Sequence, residues 1–89
     1  MATMFVRHTV ADYAAWRRIF DDFAPTQKAL GVTDKSVFQA ADNANDITVT
    51  HDFATLDAAR AFAGSAELKS AMQHAGVTSA PTIWFTTRA

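Results

Sequence analysis

The spacing of the hydrophobic residues near the start of the chain changes at Asp12. Residues 4–10 alternate between two faces as in a β-strand, with Val6 and His8 on one face and Phe5 and Arg7 on the other. After Asp12 the aromatic residues recur at the intervals of one helix face, namely at Tyr13, Trp16, Phe20 and Phe23. Asp12 itself suits the N-cap, because its carboxylate can accept free amide protons of the first turn. The pattern therefore predicts a strand that leads almost directly into an amphipathic helix.

Proline and glycine set the end of this first helix. Pro25 has no amide proton to donate to the carbonyl of Asp21 and crowds that carbonyl, so the helix must end or bend there. Gly31 suits the residue that follows a helix C-terminus, where the backbone often turns left-handed. We therefore expect one helix over roughly residues 12–30, kinked near Pro25.

The rest of the pattern predicts three further strands and a broken helix. The strands cover about 36–41, 47–53 and 82–87, and the dense turn formers of Asp42–Asp46 predict a hairpin loop between the first two. Thr55 and Ser65 suit the N-caps of two short helices, about 56–63 and 66–75. Gly64 separates these helices and Gly76 ends the second one.

The order of the elements predicts the fold class. The length and pattern of residues 1–89 predict a single α+β domain. Its elements follow the order β-α-β-β-α-α-β. When the two short helices count as one crossover, this is the ferredoxin-like split βαβ pattern. Right-handed crossovers then place the first strand between the third and fourth strands of a four-stranded antiparallel sheet, with the helices on one face.

The two faces of this sheet differ in character. The face expected under the helices carries Val6, His8, Val10, Val49, His51 and Phe53. The opposite face carries Phe5 and Trp84 among polar side chains. Large aromatic side chains on an open sheet usually mark an interface, so we expect a two-fold homodimer in which sheet packs on sheet.

Composition excludes several functional classes. The net charge is −1, and no cluster of Lys and Arg is present, which argues against nucleic acid as a partner. The chain has no Cys, hence no disulfide and no thiolate chemistry, which fits a cytoplasmic protein. No apolar run approaches the length of a membrane span, and the N-terminal residues do not resemble a secretory signal. Neither a metal-ligand spacing nor a nucleotide-binding motif is present, so we expect no metal and no cofactor.

Several motifs together resemble one group of proteins. They are Arg7-His8-x-Val10-x-Asp12-Tyr13-x-x-Trp16, Ala59-Arg60-Ala61-Phe62 with Ser65-x-Glu67-Leu68-x-x-Ala71-Met72, and Pro81-x-Ile83-Trp84-Phe85. This pattern is similar to small members of the dimeric α+β barrel superfamily, which includes antibiotic-biosynthesis monooxygenases and polyketide cyclases. The resemblance covers nearly the whole chain. It implies a homodimer whose two sheets form a barrel, with a ligand cavity in each subunit between sheet and helices.

Two histidines are the first candidates for chemistry. If Val6 lies opposite His51, then His8 faces Val49 and the two imidazoles become diagonal neighbours about 7 Å apart. Imidazoles titrate near neutral pH and suit proton transfer in a buried cavity, with Tyr13 as an assisting phenolic donor. The alternative is that each imidazole is a half-buried strand residue that bonds a hydroxyl or a backbone group.

Aromatic residues supply the candidate substrate contacts, which are Trp16, Phe20, Phe53 and Phe62. The alternative is that this aromatic set forms only the core, as stripes at helical spacing commonly do. Trp84 is expected to anchor the dimer interface rather than to hold a substrate.

Charged residues add one predicted pair and one predicted cap. Arg7 and Asp52 share the open face with Phe5 and Trp84, and we expect an Arg7–Asp52 ion pair inside the dimer barrel, with an anion site as the alternative. His74 precedes Gly76 by two residues, so a role at the helix C-terminus is expected.

The resemblance implies two functions. The first is a cofactor-independent monooxygenase-like or cyclase-like enzyme that acts on a small aromatic or polyketide-like molecule, with His8 as the general acid or base. The second is a non-catalytic ligand-binding or stress-associated dimer, in which the cavity holds a metabolite or is filled by side chains. An open cavity lined by His8 favours the first function, and a cavity closed by Trp16, Phe20 and Phe62 favours the second.

Overall fold

The computed structural model describes residues 1–89. It contains four strands and four helices, in the order β1 (Ala2–Thr9), α1 (Tyr13–Asp22), α2 (Ala24–Ala29), β2 (Val32–Ala40), β3 (Asn43–Phe53), α3 (Leu56–Ala63), α4 (Ala66–His74) and β4 (Thr82–Thr87). The strands form one antiparallel sheet of order β2-β3-β1-β4. This is the α+β, ferredoxin-like arrangement that the sequence pattern predicts.

Helix boundaries follow the predicted capping residues. The Asp12 carboxylate accepts the amide proton of Ala15 at 3.0 Å. In the same way, the hydroxyl of Thr55 accepts from the amide of Ala58 in α3, and the hydroxyl of Ser65 accepts from the amide of Leu68 in α4. The first helix divides at Phe23, and Pro25 lies in the first turn of α2, where a missing amide proton is tolerated. The predicted interruption near Pro25 is therefore confirmed, but it divides the segment into two helices instead of kinking a single one.

The hairpin between β2 and β3 differs from the prediction. The predicted loop at 42–46 is shorter in the structure, because β3 begins at Asn43 and a bulge absorbs the extra residues. Pairing with β1 explains the difference. Asp46 lies opposite Thr9, and the amide of Val10 donates to the carbonyl of Asn45 at 2.9 Å, so tertiary pairing overrides the turn preference of these residues.

The β1–β3 register is shifted by two residues from the predicted one. Val6 lies opposite Val49, which places His51 opposite Met4 and His8 opposite Ile47. The shift follows from the early start of β3, because the pairing of β1 with β3 extends to Asp46. A two-residue shift keeps every side chain on its predicted face and changes only its neighbours.

The core lies between the helices and one face of the sheet. One buried cluster joins Met4, Val6 and Phe53 to Phe62 of α3 and Leu68 of α4. A second cluster joins Trp16 and Phe20 of α1 to Val10, Ile47 and Val49. No helix has both the length and the apolar character that crossing a bilayer requires.

Candidate functional site

A small cavity lies between the sheet and the helices α1, α2 and α4. Its volume is about 40 Å³. Trp16 and Phe20 form one wall, and Leu68 and Met72 of α4 form another. Ten of its thirteen lining residues are hydrophobic, and the polar residues among the lining are His8, Gln27 and His51. The cavity is therefore an apolar chamber with three polar side chains.

His8 enters this chamber from the middle of the sheet. Its side chain is 5 % exposed, and its Nδ1 has no hydrogen-bond partner in the protein. The edge of its ring packs against Trp16, with 5.9 Å between the ring centroids. Burial lowers the pKa of His8 below the ordinary value, because the charged form loses its water. His8 is therefore a neutral imidazole at neutral pH.

His51 enters the chamber from β3 and is held by a side chain of α2. The ring is 3 % exposed, its Nε2 lies 3.2 Å from Nε2 of Gln27, and its Nδ1 has no partner. Burial, followed by the nearby charge of Lys35, lowers the pKa of His51 to about 4. The ring packs against Phe62 at 5.1 Å between centroids. Like His8, it is neutral at neutral pH.

The predicted diagonal pairing of His8 with His51 is wrong. The residue opposite His51 is Met4, which precedes His8 by four positions, so the two histidines lie roughly 13 Å apart along the strands. Trp16 and Phe20 stack between them at 5.0 Å. Phe20 in turn lies 6.4 Å from the His51 ring. The two imidazoles therefore mark opposite ends of an aromatic row.

Gln27 and Lys35 are the functional candidates that the sequence analysis missed. Gln27 is 1 % exposed, and its Oε1 accepts a hydrogen bond from Nζ of Lys35 at 2.6 Å. The Lys35 ammonium also lies over the Phe20 ring, 4.9 Å from the centroid. Gln27 follows Trp16, Phe20 and Phe23 at the same helical spacing, and this continued periodicity past Pro25 could have identified it as inward-facing.

The structure divides the other predicted site residues into two groups. Trp16 and Phe20 line the cavity, whereas Phe53 and Phe62 pack in the core cluster beside it. Tyr13 does not line the cavity. Its ring packs on Trp16, and its hydroxyl lies 3.5 Å from Nη1 of Arg17. Tyr13 and His8 therefore both pack against Trp16, but no hydrogen bond joins them.

The predicted Arg7–Asp52 ion pair is also wrong. Arg7 pairs with Asp46 instead, with 2.7 Å between Nη2 and Oδ2. Asp52 accepts a hydrogen bond from the hydroxyl of Thr3 at 2.6 Å. The register explains the exchange of partners, since Arg7 lies opposite Thr48 and is four residues along the sheet from Asp52.

The open face of the sheet carries exposed aromatic residues. The rings of Phe5 and Trp84 stack at 5.1 Å and are nearly parallel. Trp84 is 39 % exposed, and Phe38 of β2, which was not predicted as an interface residue, is 56 % exposed.

His74 lies away from this face, and its Nδ1 lies 2.7 Å from the carbonyl oxygen of Ser70 in the last turn of α4. No three side chains of His, Asp or Glu come together as metal ligands would.

Solved structures share this fold over almost the whole chain. SnoaB from Streptomyces nogalater, described as a cofactor-independent oxygenase, is 20 % identical, with 99 % of this chain and 93 % of that chain covered and a TM-score of 0.75. A candidate antibiotic biosynthesis monooxygenase from Bordetella bronchiseptica is 13 % identical, with 99 % and 96 % covered and a TM-score of 0.84. Another from Caulobacter crescentus CB15 is 20 % identical, with 99 % and 89 % covered and a TM-score of 0.78.

Sequence comparison adds no closer assignment. No family model matches the chain, and no curated protein matches it. At these identities the solved structures establish the fold alone. The chain therefore has the ferredoxin-like fold of the antibiotic biosynthesis monooxygenase-like proteins.

Proposed function

We propose that this protein binds a small aromatic or polyketide-like molecule between its sheet and helices and acts on it as a cofactor-independent oxygenase-like or cyclase-like enzyme. The observation that carries the proposal is the pair of buried imidazoles, His8 and His51, each with an unpartnered Nδ1 at an apolar cavity. A buried polar atom without a hydrogen-bond partner lowers the stability of the fold unless a ligand or another group forms the missing hydrogen bond. A ligand with oxygen atoms near its ends would satisfy both.

His8 is the proposed general base. Because burial keeps its imidazole neutral, its ring can accept a proton from a phenol or from a carbon next to a carbonyl group. The electron-rich anion that results can react with dissolved oxygen or close a ring without help from a bound cofactor. The description of SnoaB as a cofactor-independent oxygenase supports this reaction type.

The cavity must enlarge before such a ligand can enter. A single aromatic ring needs roughly 150 Å³, whereas the chamber measures about 40 Å³. The wall formed by α4 is the most suitable to move, because Leu68 is its one buried residue and Met72 is a flexible side chain. Outward movement of α4 would open the chamber beside Trp16 and Phe20.

The small volume also supports a second candidate function, that of a non-catalytic ligand-binding protein. Trp16 and Phe20 stack between His8 and His51, with each histidine ring packed against the nearer of the two. In this case the chamber accepts a small metabolite and performs no proton transfer. Turnover measured beside binding separates the two candidates.

The proposal includes a homodimer formed through the open face of the sheet. Stacked Phe5 and Trp84 form an apolar patch on β1 and β4, and exposed Phe38 lies on the same face on β2, at the other edge of the sheet. A patch of this kind favours burial against a second copy.

Oxygen consumption with a panel of hydroxylated anthrones and naphthols tests the catalytic proposal. We expect turnover of at least one compound, and a fall of about 100-fold or more in kcat for His8→Gln, the range for loss of a general base. His74→Gln is the matched control, because His74 is exposed and bonds only its own helix. Equal kcat for His8→Gln and the unmodified protein would contradict the role of His8, and binding without turnover would favour the second candidate.

A further inference from the structure

A chain of hydrogen bonds runs from the surface to the cavity through Lys35, Gln27 and His51. Lys35 lies in a surface groove next to α2, while Gln27 borders both that groove and the inner chamber. The ammonium of Lys35 donates to Oε1 of Gln27 at 2.6 Å. Beyond Gln27, the contact of 3.2 Å joins the amide nitrogen to Nε2 of His51.

The chemistry of these three groups fixes the position of one proton. A lysine ammonium can only donate, so it must face the oxygen of the Gln27 amide, and the amide NH₂ must then face His51. An NH₂ group can only donate, so Nε2 of His51 must be the acceptor. In a neutral imidazole the other nitrogen then carries the proton. His51 is therefore the Nδ1–H tautomer, and this N–H is the buried atom without a partner.

We propose that Gln27, oriented by Lys35, is a positioning residue that keeps His51 as an Nδ1–H donor for an oxygen of the bound ligand. This inference rests on the proposed ligand cavity and narrows the ligand class. The ligand carries a hydrogen-bond acceptor, a ketone or phenolate oxygen on an aromatic skeleton, at the end next to His51. His8, about 13 Å away along the strands, meets the other end.

The tautomer of His51 is directly measurable from the ¹⁵N shifts of its ring in long-range ¹H–¹⁵N spectra at neutral pH. We expect the Nδ1–H pattern in the unmodified protein. Gln27→Glu replaces the donor with a carboxylate of the same shape, which accepts from Nε2–H, so His51 should change to the Nε2–H pattern. Gln73→Glu is the matched control, because Gln73 is exposed on α4, and it should leave His51 unchanged.

Lys35→Met provides a second variant that keeps Gln27 in place. Without the ammonium nothing selects the orientation of the Gln27 amide, so the Nδ1–H pattern of His51 should weaken. Lys28→Met is the control, because Lys28 lies on the exposed side of α2, and it should have no effect. An Nε2–H pattern in the unmodified protein, or an unchanged pattern in both Gln27→Glu and Lys35→Met, would overturn the inference.

Ligand preference tests the donor role separately from the tautomer. The probes are 1-tetralone, whose fused ring carries a ketone, and tetralin, which has the same skeleton without oxygen. We expect 1-tetralone to bind at least tenfold more tightly, and Gln27→Glu to bring the two dissociation constants close together. Equal binding with the Nδ1–H tautomer present would overturn the donor role. Binding of neither probe, with the tautomer present, would contradict the proposed ligand cavity itself.

Discussion

His8 and His51 show how burial turns an ordinary titratable residue into a neutral one. Both rings are nearly enclosed, and burial is the largest cause of the lowered pKa at each. The other charges near His51 act in opposite directions, since Lys35 lowers its pKa and Asp52 raises it. The effect on stability has a definite sign. A histidine with a lowered pKa binds fewer protons in the folded than in the unfolded chain, so it stabilises the fold above the unfolded pKa.

Thermal unfolding as a function of pH tests this burial. We expect stability to fall as pH drops from about 6.5, the unfolded pKa, toward about 4, the folded pKa of His51. The full contribution is on the order of 3 kcal/mol. His51→Phe should reduce the dependence over this range and leave the part due to His8, whereas His74→Phe should leave it intact, because His74 is exposed. An unchanged pH profile for His51→Phe would mean that the ring is solvated.

The faces of these two residues were predictable from sequence, but their separation was not. Alternation along each strand placed His8 and His51 on the helix-covered face. Their relative position depends on the register, and the register depends on the pairing of Thr9 and Val10 with Asp46 and Asn45, which local preference assigns to a loop. The same shift exchanged Asp52 for Asp46 as the partner of Arg7. Gln27 was not predicted as a site residue, although it lies in the predicted helix, because the inward-facing positions named from the sequence were aromatic and ended at Phe23.

At the scale of the element, local capping chemistry was predicted well. Asp12, Thr55 and Ser65 each accept a hydrogen bond from the first turn that they precede. These bonds are short-range, so the residue type and its position before an apolar periodic segment suffice to predict them. Register, by contrast, is a property of two strands that are distant in sequence.

Removal of a cap should have a measurable cost. Asp12→Ala deletes the acceptor for the Ala15 amide and should lower the free energy of unfolding by about 1 kcal/mol. Asp22→Ala is the control, because Asp22 is exposed at the other end of α1 and caps nothing. Urea unfolding of both variants measures the difference, and an equal effect of the two changes would argue against the cap.

Two glycines form a second matched pair. Gly76 has a φ of +74°, and a β-carbon there would strain the backbone. Gly76→Ala should therefore lower the free energy of unfolding by about 1 kcal/mol or more. Gly64 has a negative φ of −92°, and a β-carbon there would meet the Arg60 carbonyl oxygen at an ordinary contact distance of 3.8 Å, so Gly64→Ala should be neutral or slightly stabilising. Urea unfolding that found Gly76→Ala no less stable than Gly64→Ala would contradict the left-handed turn.

At the scale of the whole molecule, the ferredoxin-like fold followed from the order of elements, while the assembly and the reaction did not. The order of strands and helices leaves few topologies once crossovers are right-handed. Many unrelated reactions share this fold, so function must be read from the cavity. The cavity in turn depends on side chains from three helices and two strands, whose joint geometry no local pattern determines.

The proposed dimer has its own test. Light scattering at micromolar concentration should give twice the 9.7 kDa mass of one chain. Trp84→Asp places a charge in the apolar patch with Phe5 and should shift the protein toward monomer. Gln73→Asp, on the exposed side of α4, should leave the mass unchanged. A single-chain mass for the unmodified protein would contradict the dimer.

The central claim, that the chamber between sheet and helices receives a ligand at its two buried imidazoles, is tested most directly by NMR titration. The ring signals of His8, His51 and His74 are followed while 1-tetralone is added to ¹⁵N-labelled protein. We expect the His8 and His51 signals to shift together and saturate, while the signal of exposed His74 stays in place. Saturating shifts elsewhere with both buried rings unmoved, or no shift at any concentration, would contradict the claim.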